Sequence, residues 1–455
     1  MKKRMCKIMA LAMTAAMEVP MAAQTTAFAA DDKEITYWNI AVESPDKDIV
    51  TAAVDKFNKE TKSGYTVNSV AIQNDTYKEK LVIAMSSGEC PDMYSSWSGG
   101  PMYEYIDSGF AQPIDDLLDQ SDVKDKLLDA AIEQGSYKGH VYAIPYLNVS
   151  LAGIFYNKDM FKQYGLEEPK TLADLENICA TLKENGITPF ALANASKWTG
   201  SMYFMSLAAR YGGLEPFQNA VAGTGKFTDD CFIKAGEKIQ EWVNNGYFPD
   251  GVNSLSEDDG QAKQLMYQET AGMLLCGSWY TGTFQTDSEE FYQKIGWFPF
   301  PAIDDSDADP TIQIGTVGDQ FISFNCEGDK LAAAFECATD HLSDEVEDMI
   351  YSTGKIAPVK DAGDHISDPV VKEIFDAAQK ASSIQLWYDQ YLPTSVASAH
   401  LDGLQEVFGL TKTPQEAQEE MQKAMDEYLS TKSDSGAADD TAEEATDDAA
   451  ADDAE

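Results

Sequence analysis

The stretch EITYWNIA, residues 34–41, is rich in β-branched and aromatic residues and predicts a buried β-strand. Apolar residues then recur at helical spacing from about Asp46, which predicts a helix. A second strand at 65–72, a helix over about 76–86 and a third strand opening at 91–94 follow. This strand-helix-strand alternation predicts a parallel sheet covered by helices.

The same alternation resumes after Pro145. It predicts a strand at 151–156, a helix at 171–184 and a strand at 188–193, then helices around 201–210 and 230–244. Further strands are predicted at 271–276, 295–300 and 315–324, before a mainly helical segment that ends near residue 428. The chain is therefore predicted to be an α/β protein with two lobes.

Both ends of the chain differ from this pattern. Basic residues among positions 2–7, a short apolar run at 8–17 and small residues at 27–30 predict a secretory signal peptide over 1–30 and an extracytoplasmic protein. Cys6 precedes the apolar run, so no lipid-attachment cysteine is predicted. Residues 431–455 are mostly small and acidic, which predicts a disordered acidic tail.

Charge and motifs exclude several functions. The net charge of −44 would repel nucleic acid and anionic membranes, so neither is expected as a partner. No nucleophile, phosphate-loop or metal motif is present, and the four histidines lack metal-ligand spacing, so we expect no catalytic residue, metal or cofactor. The six cysteines after the signal match no metal or redox spacing, and buried free thiols are favoured over disulfides.

Five tryptophans fall at or just beyond strand ends or in polar loops, where open α/β sheets bind ligands. A sugar ring offers C–H faces and rim hydroxyls, which aromatic surfaces beside carboxylates or amides would bind. Trp38 is one of these residues. The other segments with this composition are Tyr94-Ser95-Ser96-Trp97, Pro145-Tyr146-Leu147-Asn148, Asn194-Ala195-Ser196-Lys197-Trp198, Gly277-Ser278-Trp279-Tyr280 and Trp387-Tyr388-Asp389.

These passages resemble the extracellular solute-binding proteins of carbohydrate ABC importers, the class that includes maltose-, raffinose- and xylo-oligosaccharide-binding proteins. The clearest stretch is 139–175, with Val-Tyr-Ala-Ile-Pro-Tyr at 141–146, Phe-Tyr-Asn-Lys-Asp at 155–159 and Pro-Lys-Thr at 169–171. Segments 87–92, 272–279 and 413–417 also resemble the family's order. A lipid-modified cysteine, usual in Gram-positive members, is missing here, and the acidic tail is atypical.

The resemblance implies a periplasmic-binding-protein-like fold, with two α/β lobes joined by crossover strands and a sugar held in the cleft between them. The implied first lobe is 31–149 plus about 305–350, and the second is about 150–304 plus 351–430. Trp97, Trp198, Trp279 and Trp387 would be stacking platforms. Polar contacts would come from Asn148 near the crossover, Asp319, Asp389 and Glu43; Trp38, Ser96, Tyr146 and Tyr280 complete the predicted site.

The predicted function is capture of a neutral oligosaccharide and its delivery to the membrane permease subunits of an ABC importer, by a monomer that is not an enzyme. Two alternatives stay open. The same fold could bind a peptide or polyamine, which the acidity would favour. A secreted carbohydrate-active enzyme is the other alternative, because a site can exist without a recognised motif.

Overall fold

A computed structural model describes residues 33–447, with side chains described up to residue 431. The predicted signal peptide, residues 1–30, lies outside this part of the chain. The strands, in chain order, are β1 Glu34–Asn39, β2 Thr66–Ala71, β3 Met93–Ser96, β4 Ser136–Tyr137, β5 His140–Val141, β6 Ala143–Tyr146, β7 Val149–Asn157, β8 Thr188–Phe190, β9 Ala271–Gly277, β10 Ile295–Phe298, β11 Gln313–Val317, β12 Gln320–Phe324 and β13 Ile384–Gln385.

Helices make up most of the remaining chain. The α-helices are α1 Asp46–Glu60, α2 Asn74–Ser87, α3 Gly100–Asp107, α4 Asp115–Asp119, α5 Val123–Lys126, α6 Asp129–Gln134, α7 Lys158–Tyr164, α8 Leu172–Glu184, α9 Trp198–Gly212, α10 Glu215–Val221, α11 Asp230–Asn244, α12 Gln261–Tyr267, α13 Tyr280–Asp287, α14 Glu289–Tyr292, α15 Gly328–Asp340, α16 Asp344–Ser352, α17 Pro369–Lys380, α18 Tyr388–Tyr391, α19 Thr394–Phe408 and α20 Pro414–Asp447. None of the described helices is long and apolar enough to cross a membrane.

The strands form two main sheets, one in each lobe. The first sheet has the order β2-β1-β3-β12-β6, with β1 parallel to β2 and β3 and with β12 antiparallel to β3 and β6. The second has the order β13-β11-β7-β9-β8, and β10 also pairs with β7. The long strand β7 is buried along its whole length, so it forms the centre of the second lobe. The predicted two-lobed α/β fold is confirmed.

Local periodicity predicted the first sheet closely. The observed β1, α1, β2, α2 and β3 begin and end within a few residues of the predicted bounds. The single strand predicted at 315–324 is wrong, because this run contains two strands in different sheets, β11 and β12. Gly318 turns the chain between them with φ +145°, a conformation that suits glycine.

Three connections join the lobes. The first is Leu147-Asn148 between β6 and β7, and the second is Gly318-Asp319 between β11 and β12. The third runs through residues 353–368. It leads from α16, which packs against α1, to α17, which packs against β10. The residue boundaries of the two lobes that were predicted in the sequence analysis remain a prediction.

The described end of the chain differs from the sequence prediction. Helix α20 continues to Asp447, whereas disorder was predicted from residue 431 onwards. Alanine and glutamate in this segment are good helix formers, which favours continuation of the helix. Residues 448–455 lie outside the described part of the chain.

The described cysteines carry free thiols, and five of the six are buried. They are Cys90, Cys179, Cys231, Cys276, Cys326 and Cys337. Burial raises the pKa of Cys90 and Cys326 to about 12, so these thiols remain protonated at neutral pH. They act as small apolar side chains in the core.

Candidate ligand-binding site

A cavity of about 770 Å³ lies between the lobes, at the carboxyl ends of strands from both sheets. Six of the predicted site residues line it together, namely Trp97, Trp198, Trp279, Asp319, Trp387 and Asp389.

Tryptophans from the two lobes face the same cavity. Trp97 follows β3 of the first sheet, whereas Trp198, Trp279 and Trp387 come from the second lobe. The ring centroids of Trp198 and Trp279 are 6.0 Å apart, and those of Trp279 and Trp387 are also 6.0 Å apart. The rings are inclined at 57° and 69°, so they form adjacent walls rather than one flat stack.

Trp97 sits beside a charged pair that crosses the cavity. Lys78 Nζ lies 4.9 Å from the Trp97 ring centroid and 3.1 Å from Asp389 Oδ2. Lys78 belongs to α2 of the first lobe, and Asp389 follows Trp387 of the second. The pair therefore links the lobes at the edge of the aromatic surface.

Further polar contacts join the lobes around the cavity. The backbone N–H of Asp75 donates to Asp258 Oδ2 at 3.1 Å, and Trp198 Nε1 donates to Asp75 Oδ1 at 3.3 Å. Thr394 N donates to Glu104 Oε1 at 3.0 Å farther along the interface. The lobes are thus in contact across the cleft, and this arrangement is a closed one.

Two carboxyl groups of the site have pKa values well above the ordinary range. Burial raises the pKa of Glu257 to about 7, and the negative charges of Asp258 and Asp75 add to this rise. The hydroxyl of Tyr280 donates to Glu257 and opposes part of the effect. Burial also raises the pKa of Asp319 to about 7. A carboxyl in this range can donate or accept a hydrogen bond at neutral pH.

A second cavity of about 830 Å³ adjoins the first and shares Trp279 and Glu257 with it. The predicted site residues Glu43 and Tyr280 line this second cavity. Its wall also contains Lys355, which is 2% exposed and forms an ion pair with Asp46. Glu43 and Tyr280 thus lie near the tryptophans but line the second cavity and not the first.

Four predicted site residues line neither cavity, and three of them belong to the first sheet. Trp38 packs against the small apolar cluster around Tyr77, and Ser96 Oγ shares a 2.7 Å hydrogen bond with Ser323 Oγ. Tyr146 is fully buried, and its hydroxyl donates to Gln320 Oε1 at 2.9 Å. For Ser96, strand alternation explains this, since its neighbour Trp97 lines the cavity and successive residues of a strand point to opposite faces.

Asn148 is also away from the cavities, and it joins the interlobe connections instead. Its backbone carbonyl accepts from Asp319 N at 2.7 Å, and its Oδ1 accepts from Ile356 N at 2.8 Å. Its amide Nδ2 lies 3.4 Å from Ser278 Oγ. The side chain is 1% exposed and lines neither cavity, and the sugar contact predicted for it stays a prediction.

The structure adds cavity residues that sequence reasoning missed. They are Ile40, Asp46, Asn74, Lys78, Met202, Glu257, Asp258, Gln320 and Gln390. Glu257 and Asp258 sit in a polar loop and could not be distinguished from the other acidic residues, 77 in all. Gln320 begins a strand, and only the pairing of β12 with β6 places it beside the cavity.

Within residues 33–431, no group of three or more histidine, cysteine or acidic side chains could hold a metal ion. The site offers aromatic faces, carboxyls and amides. This chemistry can bind a molecule with apolar faces and many hydroxyls.

Comparison with known proteins agrees with this chemistry. The model of a family described as bacterial extracellular solute-binding proteins matches residues 41–338. An uncharacterized ABC transporter extracellular-binding protein of Pyrococcus horikoshii is 28% identical over 290 residues, 63% of this chain and 64% of that protein. This chain thus covers less than two thirds of that relative's length.

Two other similar proteins concern carbohydrates. A probable sugar-binding periplasmic protein of Mesorhizobium japonicum is 26% identical over 71% of this chain and 78% of its own length. A solved structure from work on xylan utilization by Caldanaerobius polysaccharolyticus has 29% identity and a TM-score of 0.78. The similarity covers 86% of this chain and 99% of that one.

Proposed function

The chain belongs to the bacterial extracellular solute-binding protein family, and we propose that it captures a neutral oligosaccharide in its interlobe cleft and delivers it to the permease subunits of an ABC importer. Members of this family act outside the cytoplasm. We also propose that residues 1–30 are the signal peptide that exports the chain.

The observation that carries this proposal is the set of four tryptophans around one cavity. Trp97 on the first lobe faces Trp198, Trp279 and Trp387 on the second. Aromatic rings on both sides of a cleft can cover both faces of a sugar ring once the lobes close. Because the second lobe offers three adjacent aromatic walls, they favour a ligand of two or more sugar units.

The polar groups of the cavity suit hydroxyls. Asp258, Asp319 and Asp389 provide acceptors at the cavity wall, and Glu257 adds a carboxyl that also gives a proton near pH 7. Sugar hydroxyls donate and accept, so they satisfy both kinds of group. Similarity to proteins named for sugar binding and to a structure from xylan utilization supports the same ligand class.

The experiment is calorimetric titration of residues 31–430 with xylotriose, chitotriose and maltotriose, and with spermidine and a tripeptide as charged controls. A Kd that holds between 50 mM and 500 mM salt supports a neutral ligand, because salt screens charge but not stacking. Binding of spermidine alone, weakened by salt, would instead favour the cationic alternative. Turnover of any oligosaccharide would favour an enzyme.

Trp279→Ala tests the site itself. Loss of its aromatic surface should weaken sugar binding about ten- to hundredfold, since a buried large side chain contributes about 1.5–3 kcal/mol. Tyr65→Ala is the matched control, because Tyr65 is also a partly buried aromatic residue but lines neither cavity. Equal losses in both variants would contradict the assignment of the cavity.

A further inference from the structure

Gln320 lies at the cavity wall with its side chain held in one orientation. It is 3% exposed, begins β12 and pairs directly with Tyr146 of β6. The Tyr146 hydroxyl donates to Gln320 Oε1 at 2.9 Å. This bond occupies the acceptor end of the amide and leaves the Nε2 donor end for another partner.

A buried hydrogen-bond chain fixes the direction of that bond. Tyr37 OH donates to the Tyr146 oxygen at 3.2 Å, and Ser95 Oγ lies 3.1 Å from the same oxygen. Tyr37, Ser95 and Tyr146 are all fully buried. Burial raises the pKa of Tyr146, so its hydroxyl keeps the proton that it donates. The chain therefore orients the glutamine amide from behind the cavity.

Two other donors near the tryptophans already have protein partners. Lys78 pairs with Asp389, and Trp198 Nε1 donates to Asp75. Among the described residues, no protein acceptor is within hydrogen-bonding distance of Gln320 Nε2. Nε2 is not one of the buried unpaired atoms among the described residues, so this donor is open to the cavity, where a bound ligand can accept from it.

We infer that Gln320 is a specificity-determining residue, whose Nε2 donates to an acceptor oxygen of the bound oligosaccharide, and that Tyr146 is a positioning residue that fixes the amide. This inference rests on the proposed function and deepens it. The neighbouring carboxyl groups mainly accept from hydroxyls, whereas Gln320 recognises an oxygen that receives a hydrogen bond. A ring, glycosidic or acyl oxygen carries no hydrogen, so it can form a hydrogen bond only with a donor such as the Gln320 amide.

The test uses Gln320→Met, Tyr146→Phe and the double variant, titrated with whichever of xylotriose, chitotriose and maltotriose binds the unmodified protein most tightly. Gln320→Met should weaken binding about ten- to hundredfold, because it removes the donor and leaves a ligand acceptor unpaired. Tyr146→Phe should weaken binding by a smaller factor, because the amide remains but can rotate.

The double variant separates positioning from a general structural effect. If Tyr146 acts through Gln320, adding Tyr146→Phe to Gln320→Met should cause no further loss of affinity. Multiplied losses would overturn the positioning role. The matched control is Gln418→Met, since Gln418 is also 3% exposed but lies in α20, away from the cavities. This control should bind as the unmodified protein does.

The outcomes separate this inference from the proposed function. If the unmodified protein binds a sugar and Gln320→Met binds it equally well, the inference fails and the proposed function stands. If the unmodified protein binds none of the three sugars, both fail. Circular dichroism and thermal midpoints of each variant identify any loss that comes from misfolding.

Discussion

Asn148 Oδ1 accepts a hydrogen bond from the backbone N–H of Ile356 at 2.8 Å, and this bond joins the first interlobe connection to the third. The carbonyl of Asn148 also accepts from Asp319 N in the second connection. One buried residue thus contacts all three segments that connect the lobes. Hinge bending in two-lobed proteins is concentrated in such segments.

Asn148→Ala should lower the free energy of unfolding by about 1–3 kcal/mol, because the Ile356 N–H would lose its buried acceptor. It should also weaken ligand binding without removing a cavity contact, since a looser hinge favours open states. Urea unfolding, calorimetry and small-angle X-ray scattering would measure the three effects. Lost binding with unchanged stability and shape would instead favour a direct ligand contact at Asn148.

A close approach of two backbones suggests a variant that acts on closure alone. A Cβ at Gly100, at the start of α3, would lie 2.2 Å from the carbonyl oxygen of Leu392. Leu392 follows α18, whose Tyr388 stacks on Phe217 in the second lobe at 4.2 Å. This contact therefore joins the lobes, and a methyl group has no room in it.

Gly100→Ala should weaken ligand binding at least about tenfold, since the clash opposes the closed arrangement. The thermal midpoint without ligand should not fall, because an open protein accommodates alanine in a helix. Scattering should show no compaction on adding ligand. Ser108→Ala, at the exposed end of the same helix, is the control. Unchanged affinity and compaction in Gly100→Ala would show that this contact is not part of closure.

The fold was largely predictable because its signals are local. Helical and strand periodicity placed β1, α1, β2, α2 and β3, and the order of motifs gave the family, which is confirmed. The division of residues 315–324 between two sheets was not predictable. A continuous apolar run looks the same whether it pairs within one sheet or crosses between two.

The candidate site was predictable only in part. Tryptophans at strand ends converge on one cavity, as the position of ligand clefts in α/β sheets suggests. Glu257 and Gln320 have no distinguishing sequence signal, since their positions depend on contacts between distant segments. Asn148 was placed at the correct connection, but its side chain turns toward backbone groups instead of the cavity.

Two buried histidines should make the protein sensitive to acid. Burial lowers the pKa of His341 and His400 to about 4, from about 6.5 in an unfolded chain. Between these values the unfolded state binds more protons, so stability falls as the pH decreases from about 6.5 to 4. Each histidine should contribute a loss of up to about 3 kcal/mol.

Urea unfolding at pH 7 and pH 5 would measure this loss. His341→Gln and His400→Gln should each reduce the difference between the two pH values, whatever their effect at pH 7. His140→Gln is the control, because the His140 side chain is 61% exposed. Carboxyl groups with raised pKa values make the protein more stable as the pH falls, which opposes the effect of the histidines. The test therefore compares the pH dependence of each variant with that of the unmodified protein. If His341→Gln and His400→Gln both keep the full difference in unfolding free energy between pH 7 and pH 5, the lowered pKa values of these histidines would be contradicted.

Ligand affinity should increase as the pH falls through the neutral range. In the closed cleft Glu257 has a pKa of about 7, because burial is reinforced by Asp258 on its own loop and by Asp75 from the other lobe. Opening separates these groups and returns Glu257 to water, where its pKa should approach the ordinary value near 4.3. The closed state then binds more protons than the open state, so low pH favours closure over the open state. This contribution to ligand affinity is lost as the pH rises through about 7.

Titrations at pH 6 and pH 8 would test this coupling, with the affinity expected to be several-fold higher at pH 6. Lys263 and Tyr280, which also face Glu257, favour its charged form and limit the effect. Glu257→Gln should reduce the pH dependence, because glutamine stays neutral at both values and of the two carboxyls with a pKa of about 7 only Asp319 remains. Asp402→Asn, at an exposed carboxylate paired with Lys197, should leave the profile unchanged. An affinity equal at both pH values in the unmodified protein would mean that Glu257 takes up no proton on closure, and its burial would then be the same in the open and closed states.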